Sequence, residues 1–117
     1  MSWDGIIAFF GTEDLERNSS FYEGTMGFKL YKDQGVCKIY DVPGGGRIGF
    51  CTHLEVTQKG KAPIITILAD DIDYWYNKLK EEGWEVEGEP KLNERFNIYH
   101  FFSRDPDGYS VEIQKFL

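Results

Sequence analysis

Short apolar runs separated by helix-forming segments divide the chain into two similar halves. In the first half, the apolar run at residues 6–10 is followed by Thr12 and Asp14, two residues that commonly cap helices. Apolar and small residues then recur at helical spacing, and Gly27 is a typical helix stop. Strand-like stretches follow at residues 28–32, 36–42 and 47–52. The predicted order of this half is β-α-β-β-β.

The same order recurs in the second half. The β-branched run at residues 64–68 precedes the capping residues Asp70 and Asp71, and Ile72, Trp75 and Leu79 fall on one helical face that ends at Gly83. Strands are predicted at residues 84–88, 96–103 and 109–115, with matching turns at Pro43 and Pro106. The pattern predicts a single domain over residues 1–117, with module one at about 3–53, a polar linker at 54–63 and module two at 64–117.

Composition narrows the function classes. The net charge of −7 and the dispersed basic residues argue against nucleic-acid binding. No apolar run is long enough to span a membrane, and the N-terminus lacks the basic stretch of a signal peptide, so we expect a cytoplasmic protein without a membrane partner. The two cysteines, Cys37 and Cys51, do not make a disulfide framework.

Two strings of residues resemble a known superfamily. They are Thr12-Glu13-Asp14-Leu15-Glu16-Arg17 with Phe21-Tyr22 and Gly27-Phe28, and Phe102-Ser103-Arg104-Asp105-Pro106-Asp107-Gly108 leading to Val111-Glu112-Ile113. They resemble the opening and closing motifs of the vicinal-oxygen-chelate (glyoxalase/bleomycin-resistance) superfamily. The resemblance implies an α+β fold in which two tandem βαβββ modules form curved mixed sheets around a cavity. We interpret the Asp-Pro-Asp-Gly string itself as a structural turn.

The resemblance also implies where a metal would be bound. Metal-dependent members draw ligands from the first and last strand of each module, and those positions fall here on Ile7, Gly49, Ile64 and Glu112. Only Glu112 has a donor atom, whereas a divalent ion needs about three or four. We therefore predict no metal at this location and no cofactor.

Hairpin pairing predicts which side chains face the cavity. Pairing Val42 with Arg47 and Asp105 with Ser110, together with the alternation of side chains along a strand, gives one set of candidate ligand-binding residues. These candidates are Lys38, Tyr40, Arg47, Cys51, Thr66, Tyr99, Phe101, Ser103, Glu112 and Gln114. The same pairing puts His100 on the helix-covered face.

The pairing also separates Cys37 from Cys51, which would then be reduced thiols on opposite faces. Cys51 is interpreted either as a reactive thiol in the cavity or as a small buried hydrophobe. His53 is expected at the surface, and neither it nor His100 has a recognisable carboxylate or thiol partner in the sequence.

Three functions stay open. The leading hypothesis is a metal-free, homodimeric protein that binds and sequesters a small molecule, as the antibiotic-binding members of the superfamily do. The second is a lyase or isomerase acting on a small carbonyl compound, with Glu112 as the candidate catalytic base; Glu112 could equally be a remnant of a metal-binding pattern. The third is a partner-binding regulatory domain.

Overall fold

Two four-stranded mixed sheets, each with its own helix, account for the regular structure of the chain, and the computed structural model describes all of residues 1–117. The chain divides into two compact units, Met1–Thr57 and Gln58–Leu117. The elements, in chain order, are β1 (Ile7–Gly11), α1 (Leu15–Ser19), a π-helical stretch (Ser20–Thr25), β2 (Lys29–Asp33), β3 (Cys37–Asp41), β4 (Arg47–Cys51), β5 (Ile64–Leu68), α2 (Ile72–Glu81), β6 (Lys91–Asn93), β7 (Ile98–Arg104) and β8 (Ser110–Phe116). The predicted α+β class and the duplicated strand-helix-strand order are confirmed.

The helix of the first unit starts and ends as the sequence predicts. The Asp14 carboxylate accepts hydrogen bonds from the backbone N–H groups of Glu16 and Arg17, at 3.0 and 3.2 Å, which satisfies two of the free donors at a helix start. Gly27 follows the helical segment with φ +76°, a conformation that glycine adopts without strain. The helical segment buries Tyr22, whose ring stacks 4.5 Å from the ring of Phe50 on β4.

The second unit repeats this arrangement. Its sheet has the order β5-β8-β7-β6, equivalent to β1-β4-β3-β2 in the first unit, and in both sheets the first and last strands of the unit are the parallel pair. Ile72 and Leu79 are buried, and the ring of Tyr76 on α2 meets the ring of Phe101 on β7 edge to face at 5.5 Å.

The strand predicted at residues 84–88 is not part of the ladder. That segment makes only a single bridge, Val86 with Ser103, through two backbone hydrogen bonds to β7. The edge strand is instead Lys91–Asn93.

The register of both hairpins differs from the prediction by one residue. Asp41, not Val42, lies opposite Arg47, and Arg104, not Asp105, lies opposite Ser110. Each hairpin therefore has a five-residue loop, 42–46 and 105–109. A change of one residue in the pairing moves a strand's side chains to the other face. The faces of β3 and β7 are consequently reversed relative to the prediction, whereas those of β4 and β8 are as expected.

We call the face of each sheet that lies away from its own helix the open face. In the first unit its residues on β1, β3 and β4 are Ile7, Phe9, Gly11, Cys37, Ile39, Asp41, Arg47, Gly49 and Cys51. In the second unit its residues on β5, β7 and β8 are Ile64, Thr66, Leu68, Ile98, His100, Phe102, Arg104, Ser110, Glu112, Gln114 and Phe116. Neither helix has the length and apolarity needed to cross a bilayer.

Candidate functional site

Glu112 is the centre of a buried polar cluster on the open face of the second unit. Its carboxylate accepts a hydrogen bond from the Thr66 hydroxyl at 2.8 Å and lies 2.6 Å from Nδ1 of His100. With the Gln114 amide nitrogen turned toward the carboxylate, that nitrogen donates to both oxygens at 3.1 Å. Glu112 is 7% exposed and His100 6% exposed. Buried carboxylates are stable when their oxygens are hydrogen-bonded in this way.

The contact with Glu112 determines which nitrogen of His100 can act. Because a carboxylate only accepts hydrogen bonds, Nδ1 carries the proton and donates a hydrogen bond to Glu112. Nε2 makes no hydrogen bond with the protein. It can therefore accept a hydrogen bond from a bound molecule, or take up a proton from one. The pair resembles, in its chemistry, the carboxylate-oriented imidazoles that serve as bases or anchors in many sites.

A cavity of about 720 Å³ opens onto this cluster, and all of its lining residues belong to the second unit. The ring side chains of Phe96, Phe102 and Phe116 contribute apolar wall, and Ile64 adds to it. The charged groups on the lining are of both signs: Lys61, Lys91, Arg104, Glu87, Glu89 and Glu112. Arg104 is paired with Glu87, its Nη2 lying 3.1 Å from the carboxylate. A volume of this size, partly apolar with a few polar groups, is typical of small-molecule sites.

Three of the predicted site residues in the second unit lie together, namely Thr66, Glu112 and Gln114. The other three, Tyr99, Phe101 and Ser103, point to the helix-covered side because of the changed register. The Tyr99 hydroxyl donates to Asp73 on α2 at 2.6 Å, and the Ser103 hydroxyl donates to the Glu85 carbonyl at 2.6 Å. His100, which the sequence analysis assigned to the covered face, takes their place beside Glu112.

The predicted residues of the first unit do not form a shared site. Lys38 and Tyr40 face the helix, where both contact the Ser19 hydroxyl, at 3.0 and 2.9 Å. Burial raises the pKa of Tyr40 to about 12, with the neighbouring Glu23 carboxylate adding to the shift. Arg47 does lie on the open face and is engaged by Asp41 at 2.8 Å.

Cys51 also lies on the open face of the first unit, directly opposite Cys37, to which it is joined by a disulfide. The expected pair of separate reduced thiols is thus wrong. The reason is again the five-residue loop, which brings Cys37 to the same face as Cys51.

The positions at which metal-dependent relatives bind their ion do not fit a metal here. Ile7, Gly49 and Ile64 have no donor side chain, and both oxygens of Glu112 are already hydrogen-bonded. At Gly49 the ring of Phe9 occupies the space a side chain would need, since an added Cβ would lie 2.6 Å from it. An aromatic ring over a glycine thus stands where the second unit has Thr66 and Glu112.

A family model identifies the chain. The model for the Glyoxalase/Bleomycin resistance protein/Dioxygenase superfamily matches residues 7–113, and the chain belongs to this superfamily. A comparison with functionally curated proteins gives no significant match.

Solved structures with low sequence identity share the fold. A glyoxalase/bleomycin resistance protein/dioxygenase from Nocardioides is 20% identical with a TM-score of 0.78, covering 100% of this chain and 86% of its own. A family enzyme from Burkholderia phytofirmans PsJN is 18% identical with a TM-score of 0.79, covering 95% and 97%. TioX from Micromonospora sp. ML1 is 15% identical with a TM-score of 0.78, covering 98% and 100%. At these identities the likeness extends to the fold alone.

Proposed function

We propose that the protein binds a small, partly aromatic molecule without the help of a metal, and that the ligand occupies the cavity of the second unit. The observation that carries the proposal is the His100 imidazole, buried at the cavity wall, held by Glu112 and left with Nε2 unbonded. Because His100 lines the cavity, a ligand donor can form a hydrogen bond with Nε2 there, and the Glu112 contact fixes the direction of that bond.

The lining suggests the chemistry of the ligand. Phe96 and Phe116 are more than half exposed, at 60% and 65%, which leaves aromatic surface available for stacking on a flat ligand group. A hydroxyl, amide or protonated amine on that ligand would donate to Nε2. The volume suits a drug-sized molecule or the aromatic end of a larger one.

Titration with probes of known chemistry tests this proposal. We would measure binding of metal-free bleomycin, which has both an aromatic bithiazole and cationic groups, by isothermal titration calorimetry. His100→Ala should weaken binding about tenfold or more, because the hydrogen bond at Nε2 is lost. Tyr99→Phe is the matched control, since Tyr99 lies on the same strand but on the covered face.

Equal binding by His100→Ala and the native protein would contradict the site. If bleomycin shows no binding, the cationic dye thioflavin T and the anionic dye anilinonaphthalene sulfonate should be compared in the same way. Absence of His100-dependent binding for all three probes would count against a ligand site in this cavity.

A second candidate function is supported by the same pair of residues. An imidazole oriented by a carboxylate is a competent general base, so the site could abstract a proton beside the carbonyl of a small substrate, as a lyase or isomerase does. In this version the base is His100, because both oxygens of Glu112 accept hydrogen bonds. Glu112 would then orient the ring and stabilise its protonated form.

Proton exchange separates the two functions. Hydroxyacetone in deuterated buffer should lose its methylene proton signal faster in the presence of an enzyme of this kind, and the rate is followed by proton NMR. The enzymatic exchange should fall about 100-fold or more in His100→Ala. Exchange at the buffer rate with native protein, together with His100-dependent probe binding, would favour binding without catalysis.

We also propose that the protein forms a homodimer and that it is located in the cytoplasm. Apolar side chains on the open face of β5 are solvent-exposed in the single chain, with Ile64 at 43% and Leu68 at 62%, and a symmetric partner would cover such surface.

A further inference from the structure

The disulfide of the first unit lies beside a third residue with a metal-binding side chain. Cys37 and Cys51 are 5% and 1% exposed, and Nδ1 of His53 lies 3.9 Å from the Cys37 sulfur. The two sulfurs and an imidazole nitrogen all lie within 4.8 Å of one another. Neither the cluster around Glu112 nor the family's usual metal positions include any of these residues.

We propose that, once the disulfide is reduced, Cys37, Cys51 and His53 bind a Zn²⁺ ion. Two thiolates and one imidazole are a ligand set that zinc prefers, and three protein ligands leave a fourth position for water. Typical bond lengths of about 2.3 Å to sulfur and about 2.0 Å to nitrogen place these two ligand atoms about 3.5 Å apart around a tetrahedral ion. The observed separation of 3.9 Å is close to that distance.

The backbone holds the three residues in place independently of the disulfide. Cys37 and Cys51 are directly opposed in the antiparallel pair of β3 and β4. Just after β4, the N–H of Thr52 donates to the carbonyl of Val36 at 2.8 Å, which anchors the chain next to His53. The sulfurs can therefore separate by side-chain rotation while the strands stay paired.

Gly11 keeps the chain after His53 close to the sheet. An added Cβ at Gly11 would collide with the backbone carbonyl groups of Glu55 and Leu54. Because Gly11 has no side chain, residues 54–55 can pass directly over this end of β1. Gly11 is the residue that pairs with Cys51 in the parallel ladder of β1 and β4. His53 is exposed, so an ion can reach the site from solvent.

The switch between the two forms is balanced by a thiol reductant. A dithiol such as dithiothreitol transfers two electrons and two protons to the Cys37–Cys51 bond, giving two protein thiols and an oxidised, disulfide-bonded reductant. Zn²⁺ then replaces the two thiol protons, which are released to solvent. In a reducing compartment the thiol form is expected to predominate.

Cobalt substitution tests the site directly. The protein is reduced, freed of reductant and titrated anaerobically with Co²⁺, which has visible absorption in a tetrahedral site and a thiolate charge-transfer band in the near ultraviolet. We expect both bands, saturation at about one ion per chain, and their loss when Zn²⁺ is added. Protein kept oxidised should give neither band.

The variants distinguish this site from a metal held elsewhere. Cys37→Ser and Cys51→Ser should abolish the charge-transfer band at low Co²⁺, and His53→Ala should weaken affinity about tenfold or more. Because His53 is exposed, its replacement should leave the fold intact, which circular dichroism would check. His100→Ala, in the other unit, is the control and should leave both cobalt bands unchanged, although it alters the separate cavity of that unit.

Three results would overturn the proposal. They are the absence of the thiolate band in reduced protein, a band unchanged by His53→Ala, and a disulfide that is reduced only when the protein unfolds. As a second readout, Zn²⁺ should slow the reaction of the two thiols with dithionitrobenzoate at least about tenfold, because bound thiolates are poor nucleophiles. An unchanged rate would count against the site.

Discussion

Cys37 and His100 occupy equivalent positions in the sheets of the two units. Cys37 lies opposite Cys51 and His100 opposite Gln114, in each case two residues from the pair that contains Gly49 or Glu112. Both residues are buried on the open face of their sheet. Cys37 forms a disulfide with Cys51, and His100 forms a hydrogen bond with Glu112. One backbone arrangement thus supports a sulfur pair in the first unit and an imidazole–carboxylate pair in the second.

Replacing the buried carboxylate should destabilise the second unit. Glu112→Gln keeps the size of the side chain, but its amide nitrogen cannot accept the bonds from Thr66, His100 or Gln114. We expect the free energy of unfolding to fall by about 1–3 kcal/mol, measured by urea denaturation at neutral pH. Glu89→Gln changes an exposed residue of the same type, and it should lower the free energy of unfolding by less than about 0.5 kcal/mol. Equal losses would show that the cluster does not stabilise the fold.

Stability should decrease at high pH through Tyr40. Its folded-state pKa of about 12 lies above the ordinary value of 10.0, because burial disfavours the charged phenolate. The stabilisation of the neutral form is fully present below pH about 10 and is lost as the pH rises from about 10 to about 12. Urea denaturation across this range should show a smaller decline for Tyr40→Phe than for the native protein. An identical decline in both would assign the effect to other groups.

Two glycines should differ in their tolerance of alanine. At Gly11 the added Cβ would meet backbone atoms of Glu55, whereas at Gly49 it would meet the ring of Phe9, which is 47% exposed and can move. We expect Gly11→Ala to lower the free energy of unfolding by about 3 kcal/mol or more, and Gly49→Ala by about 1 kcal/mol. Chemical denaturation would measure both. The reverse order would mean that residues 54–55 do not pass closely over β1.

The assembly state can be measured by sedimentation. A homodimer should sediment at twice the chain mass of 13.6 kDa. Leu68→Glu places a charge on the apolar open face of β5 and should shift the protein toward the monomer. Tyr74→Glu is the control, since Tyr74 is also exposed, at 54%, but lies on α2. Dissociation by Tyr74→Glu alone would assign the interface to the helix, and a monomeric native protein would refute the dimer.

The fold could be predicted from the sequence because the signals were local. The two apolar runs, the Asp14 cap and the Gly27 stop act over one or two turns of chain and fix the order of the elements. The strand at 84–88 was misplaced because its apolar residues fit a strand, whereas the pairing that extends the sheet is made by Lys91–Asn93.

The candidate site was only half predicted, and the reason is the length of two loops. The Val42 N–H donates to the Gly46 carbonyl at 2.9 Å, and the Asp105 N–H donates to the Tyr109 carbonyl at 3.1 Å, which closes five-residue rather than four-residue loops. Glu112, Gln114 and Thr66 lie on strands that this change does not reverse. The polarity of the β7 side chains does not show which face is covered by the helix. Both faces of this strand contain apolar and polar residues.

One signal in the sequence could have revealed the longer loop. The buried Asp105 carboxylate accepts hydrogen bonds from the N–H groups of Asp107 and Tyr109, at 2.9 and 3.0 Å. An aspartate that bonds to residues two and four positions ahead belongs to the loop and not to the strand. With Asp105 assigned to the loop, Arg104 pairs with Ser110, and the alternation along β7 predicts His100 on the same face as Glu112.

The strand register is the same in the sheets of the two units, and this allows their side chains to vary independently. The segments 37–51 and 100–114 contain the same number of residues and cross their sheets at equivalent positions. Side chains at these positions can therefore change in one unit without altering the course of the backbone in either. A substitution that removes a polar cluster from one hairpin leaves the equivalent positions of the other hairpin free to keep theirs.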